Sequence, residues 1–193
     1  MKRFKGVKGT IILIIMIALI AGYYFYLSNR ELPVKETIET TAVQNALLRD
    51  LEQSYPPSPK EVVKYYFEIT KCFYNETYTE DELRLLALKI RELYDAELVA
   101  NQTEEEYLIS IQTDINTFKE KNYTISSYAT AASTDVEYYS VDGYEFAKLN
   151  CAVTIREGTT LQPTNERFLL RKDEDGHWKI YGWDLAEITT PNE

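Results

Sequence analysis

"EFAKLNCAVTI", residues 145–155, decides how this chain folds. Ala147, Leu149, Cys151, Val153 and Ile155 alternate with Phe146, Lys148, Asn150, Ala152 and Thr154. A period of two fits a strand with one face in a core and the other toward water. C-terminal to it, "NERFLLRKD" (165–173) and "HWKIYGW" (177–183) read as further strands, separated by "DEDG" (173–176), which has the composition of a turn. N-terminal to it, "YTISSYAT" (123–130) and "TDVEYYS" (134–140) predict two more, with "VDGY" (141–144) as the turn into the central strand.

Before about residue 122 the period is 3.6. Ser58 with Glu61, Thr79 with Glu82 and Thr103 with Glu106 each have the spacing of a capping box, and Pro59 suits a first helical position. The first helix should bury Val62, Tyr66, Ile69 and Phe73, and the third Leu108, Ile111, Ile115 and Phe118. Between them Leu83, Leu86, Ile90, Tyr94 and Leu98 predict one continuous helix. Upstream, "TTAVQNALLRDLEQ" (40–53) spaces Val43, Leu47 and Leu51 by four, a short amphipathic helix that "YPPSP" (55–59) ends. Helices first and an antiparallel sheet after give an α+β domain of two layers.

The N-terminus differs in kind. Residues 1–10 hold Lys2, Arg3, Lys5 and Lys8 without an acid, and residues 11–27, "IILIIMIALIAGYYFYL", hold no charge. As a helix this run is about 26 Å long against a hydrocarbon core of about 30 Å, and Tyr23, Tyr24 and Tyr26 suit the membrane boundary. A cleaved signal is the rival reading. It lacks a small-x-small site, since Leu19 precedes Ala21 and Ile20 precedes Gly22 at the key position. The expectation is a single-pass anchor, N-terminus cytoplasmic, with the rest extracytoplasmic on the cell membrane. The parts are then a basic tail (1–10), a transmembrane helix (11–27), a membrane-proximal segment (28–57), an ectodomain (58–188) and a tail (189–193). Beyond residue 27 lie all 31 acids and all but four of the 21 basic residues. So acidic an exterior argues against nucleic acid as a partner.

Helices followed by long strands that close in "KDEDGHWKIYGW" (172–183) resemble the nuclear transport factor 2-like (cystatin-like) superfamily, many of whose bacterial members end in a DGxWKI strand. The segment 55–83, "YPPSPKEVVKYYFEITKCFYNETYTEDEL", behind one anchor is also similar to an uncharacterised family of membrane-anchored proteins from anaerobic Gram-positive bacteria. The first resemblance implies a strongly bent antiparallel sheet wrapped over helices as a cone. Its inside can hold a ligand pocket, and its outer face can pair with a protein. Neither resemblance implies an activity, because this fold hosts many.

Alternation assigns faces. Trp178 and Ile180 share the side expected to meet the helices, and His177, Lys179, Tyr181 and Trp183 share the other. On that outer side Tyr144, Phe146, Leu169, Tyr181 and Trp183, interleaved with Lys148, Asn150, Arg167 and Lys179, form a candidate protein interface or homodimer surface. The alternatives are cover by a loop or by the membrane-proximal helix, or cross-strand pairing on an exposed sheet.

Catalytic and cofactor chemistry is thin. His177, the only histidine, follows an acidic turn and is expected to be wet and mobile there. With Gly176 at the invariant glycine of a calcium loop, Arg171 falls first and Gly182 last, so the register fails. Two cysteines and one histidine do not make a zinc site, and no "GxxxxGK" occurs. Cys72 and Cys151 sit at core-facing positions where they can bond to one another or stay buried and free. Asn75, Asn101 and Asn122 stand in sequons that a bacterial origin would make fortuitous.

No catalytic residue, metal ligand or cofactor is therefore assigned. The leading expectation is a protein-binding or assembly module. The second is a ligand-binding or sensing domain using a cavity lined by tyrosines and Trp178. The third is a hydratase- or isomerase-type enzyme with a pocket carboxylate, which needs a buried acid of raised pKa facing a roomy pocket.

Overall fold

The computed structural model describes residues 40–186 together with Met16, Leu19, Ile20, Ala21, Tyr23 and Tyr24. The chain divides into two compact units, residues 1–39 and 40–193. In the first, those six residues are helical and exposed. The rest of the expected span 11–27, the tails 1–10 and 189–193 and residues 28–39 lie outside the described residues. Among the described residues no helix is long and apolar enough to cross a membrane.

The second unit is α+β. Its helices are α1 (Ala42–Leu48), α2 (Pro59–Asn75), α3 (Glu80–Glu92), α4 (Ala96–Ala100) and α5 (Glu104–Glu120). Five antiparallel strands follow: β1 (Tyr123–Thr130), β2 (Glu137–Val141), β3 (Tyr144–Glu157), β4 (Thr160–Lys172) and β5 (Trp178–Ala186). The order is β1-β3-β4-β5. β2 pairs with the first half of β3 and β1 with its second half, so both flank β3 on the side away from β4.

Local chemistry explains the boundaries. Thr79 and Thr103 form complete capping boxes with Glu82 and Glu106, and Thr41 forms a third with Gln44. Ser58 accepts only the Glu61 N–H, with Pro59 behind it. Asp142 and Gly143 both have positive φ, 50° and 85°, the conformation that turns β2 tightly into β3. At the C-terminus of α2, the Asn75 amide donates to the Ile125 carbonyl and accepts its N–H, both at 2.8 Å, locking helix to strand.

The inner sheet face carries Ala147, Leu149, Cys151, Val153, Phe168, Leu170 and Ile180, all buried against Val62, Phe67, Ile69 and Phe73 of α2. The membrane-proximal helix α1 belongs to this body. Val43 and Ala46 are buried, and the Tyr65 hydroxyl donates to the Ala46 carbonyl at 2.7 Å.

Two expectations are corrected. The continuous helix through Leu98 breaks after Glu92. There the backbone leaves the helix to flank β5: Asp95 N–H donates to the Ile180 carbonyl, and Ile180 N–H to the Leu93 carbonyl, both at 2.8 Å. The Asp95 side chain then caps α4. The second correction is in β5. Leu170 pairs with Ile180 but Leu169 with Gly182, so Tyr181 is an extra residue in a β-bulge. Past the bulge the alternation is inverted, and Trp183 pairs with Phe168 on the inner face.

Candidate functional site

The five residues expected to share the outer face do not stay together. Tyr144, Phe146, Leu169 and Tyr181 lie on it, and Trp183 does not. Arg171 is the centre of what remains. Its guanidinium packs over the rings of Tyr144 and Tyr181 at 4.9 and 4.8 Å from the ring centres, and Tyr181 meets Phe146 edge-on. Phe146 in turn stacks on Tyr139. Arg171 Nε and Nη2 donate to both oxygens of buried Asp95 at 2.9 and 2.6 Å, and Nη1 donates to Glu97 at 2.7 Å. Glu97 also accepts from the Tyr181 hydroxyl at 2.9 Å. The aromatic–cationic pattern is thus largely spent on tying β4 and β5 to the segment before α4, leaving Tyr139 and Tyr144 as its exposed edge.

Trp183 instead lines a cavity of about 470 Å³ between the helices and the end of the sheet, with 42% of its surface still exposed. Tyr66 and Tyr74 of α2, Tyr94, Tyr107 of α5 and Trp183 form its aromatic walls, with Phe73 and Ile90 among its apolar surfaces. Trp183 lies 5.8 Å from Tyr66 and 5.6 Å from Tyr94, ring centre to ring centre. Asn101, Gln102, Ser110 and Asp114 are exposed residues at its mouth. The volume is within the range that holds small ligands. Trp178, expected in such a lining, is elsewhere: it packs on Tyr138 and under the Lys172 ammonium.

Two polar groups of the cavity are unusual. Arg91, in the last turn of α3, spends Nη2 on the carbonyls of Val99 and Gln102 at 3.3 and 2.9 Å, but its buried Nη1 has no hydrogen-bond partner. Among the described residues the buried hydroxyl of Tyr107 likewise has no partner within 3.5 Å, its interaction with the Tyr94 hydroxyl being a longer one. Burial pushes the Tyr107 phenol up to about 12 and holds those of Tyr66 and Tyr94 well above the usual tyrosine range. All three are neutral hydrogen-bonding groups at physiological pH.

The remaining candidates have structural accounts. Cys72 and Cys151 are free and buried, and burial raises their thiols to about 11 and about 12, so neither is a ready nucleophile. Ligand atoms of Asp173, Asp175 and His177 lie within 4.8 Å of one another. The same residues close the turn, with His177 N–H donating to Asp173 Oδ1 at 2.7 Å and Asp173 N–H to the His177 carbonyl at 2.8 Å. His177 is half-buried and not loose, because its ring stacks on Tyr55 at 4.3 Å. Glu166 faces inward on β4, and burial raises its carboxyl above the usual range, yet it is not among the residues lining the cavity.

A family model spans residues 1–183, covering the N-terminal segment and every residue of the cavity wall. The chain belongs to the family described as Domain of unknown function (DUF6715). No curated protein matches it. In this DUF6715 chain two features were invisible to strict alternation: the bulge at Tyr181, which turns Trp183 to the helix side of the sheet, and Arg91, which helical periodicity marks only as a polar neighbour of Ile90. Gly182, a glycine within a strand pattern, was the available signal for the bulge.

Proposed function

We propose that this domain binds a small molecule in the cavity between its helices and the end of its sheet. The reading includes its setting: the exterior part of a single-pass membrane protein anchored by residues 11–27. A nuclear transport factor 2-like fold, with a bent sheet closed over the helices, fits the helices-first order and the bulges in β1 and β5. The observation that carries the reading is the aromatic cavity itself, about 470 Å³ with Trp183 in its lining. Protein binding through the outer face keeps a smaller basis, the exposed rings of Tyr139 and Tyr144.

The test is a titration of the full chain with a panel of single-ring aromatic fragments, in a Trp178→Phe background that leaves Trp183 as the one tryptophan. Saturable changes in Trp183 emission are expected, and Ser110→Phe, which fills the mouth, should abolish them. Binding that survives Ser110→Phe would place the ligand elsewhere and overturn the reading.

A further inference from the structure

We infer that the ligand of this cavity is a small carboxylate with a flat apolar body, its anionic end held by Arg91 Nη1 and the Tyr107 hydroxyl. The inference rests on the ligand-binding reading above and deepens it. A guanidinium stays charged at any physiological pH, and a buried N–H without an acceptor is among the costlier defects a fold can keep. Here the defect is specific. The two bonds from Nη2 to the Val99 and Gln102 carbonyls fix the fork, so Nη1 is held rather than left to find its own partner.

The acid of the cavity lining, Asp114, stands exposed at the mouth rather than paired with that charge. Among the described residues no carboxylate lies within 4.0 Å of the Arg91 guanidinium, although acids outnumber bases in the chain by 31 to 21. The second such donor is on a neighbouring side chain of the same cavity, the Arg91 guanidinium carbon lying 5.7 Å from the centre of the Tyr107 ring. A carboxylate has two acceptor oxygens for two such donors, and it supplies the missing negative charge. An amine would add a second cation beside Arg91. A phosphate dianion would need more buried donors than Arg91 and Tyr107 supply, since Asn101, Gln102 and Ser110 stand at the exposed mouth. The rest of the wall sets the body of the ligand: Tyr66, Tyr74 and Trp183 present ring faces and edges, which a planar apolar group fits best.

The experiment compares 3-phenylpropanoate with the neutral 3-phenylpropan-1-ol on the full chain in lipid nanodiscs, read by Trp183 emission in the Trp178→Phe background. The acid should bind at least tenfold more tightly than the alcohol. Arg91→Met should bring the acid down to about the alcohol's affinity and cost the alcohol, whose oxygen can accept only a neutral hydrogen bond there, much less. Equal binding of acid and alcohol, indifferent to Arg91→Met, would overturn the carboxylate inference and leave the ligand-binding reading standing. No saturable response to either probe or to the fragment panel would remove both. If Arg91→Met does not fold, Tyr107→Phe takes its place. A several-fold loss for the acid alone supports the inference, and an equal loss for both probes sinks it.

Discussion

Arg171 and Arg91 are both arginines packed against tyrosine rings, and they have opposite fates. Every nitrogen of the Arg171 guanidinium donates to a carboxylate, and the Tyr144 and Tyr181 rings lie against it. The Arg91 fork is half used, with Nη1 buried and unpartnered beside an open cavity. A satisfied cation among aromatics is architecture, even where its composition is that of an interface. An unsatisfied one in a cavity is a donor that a ligand can engage.

Breaking the satisfied side should have the largest effect. Arg171→Met leaves the Asp95 carboxylate buried without its partner, and the expected loss is about 3–5 kcal/mol in urea unfolding. Arg171→Lys should recover only part of this, because a point charge cannot serve two carboxylates and stack on two rings. A loss below about 1 kcal/mol would put the network with ordinary surface pairs and erase the contrast with Arg91. Next in size is Asn75→Ala, which leaves the N–H and carbonyl of Ile125 without their side-chain partner. Here about 1–3 kcal/mol should be lost, read in the same way. A neutral result would mean water replaces the amide at the junction of α2 and β1.

How legible each side was follows from the physics that governs it. The α+β order, all five strands and three helix starts follow from periodicity and caps, which are local. The inward set Ala147, Leu149, Cys151 and Val153 is correct for the same reason. What failed depends on pairing between distant segments. The helix through Tyr94 breaks because Leu93 and Asp95 bond to Ile180, which lies 85 or more positions away, and no local pattern encodes that exchange. Trp183 was misplaced by one inserted residue, since an alternation argument propagates any slip to every later side chain. Of the cavity's tyrosines, Tyr66 and Tyr94 stand in the helix stripes while Tyr74 and Tyr107 do not, and the meeting of all four around a void has no local signal.

A smaller effect, opposite in sign, should come from Glu166. Burial holds its carboxyl above the usual range, so the unfolded chain gives up that proton first. The resulting penalty is absent below the ordinary carboxylate value, grows as pH rises toward the raised one and is complete above it. Glu166→Gln should therefore raise Tm at neutral pH, by less than the Asn75 change lowers it, and the gain should vanish as pH falls below the ordinary value. A Tm gain that did not depend on pH would assign the effect to packing instead.

The smallest expected effect is the most informative about the outer face. Trp183→Ala, in sedimentation equilibrium on the full chain, should leave the association state unchanged, because the ring packs against Tyr66, Tyr94 and its cross-strand neighbour Phe168, on the side of the sheet away from Tyr144. Tyr144→Ala is the matched control, since that ring is exposed and lies on the face first suspected. If the chain self-associates and only Tyr144→Ala weakens it, the outer face and the cavity have separate roles and the Arg171 cluster is the base of an interface. If Trp183→Ala alone disperses an oligomer, the cavity end of β5 is where two copies meet. Arg91 Nη1 would then donate to a carboxylate of the neighbouring chain rather than to a small molecule.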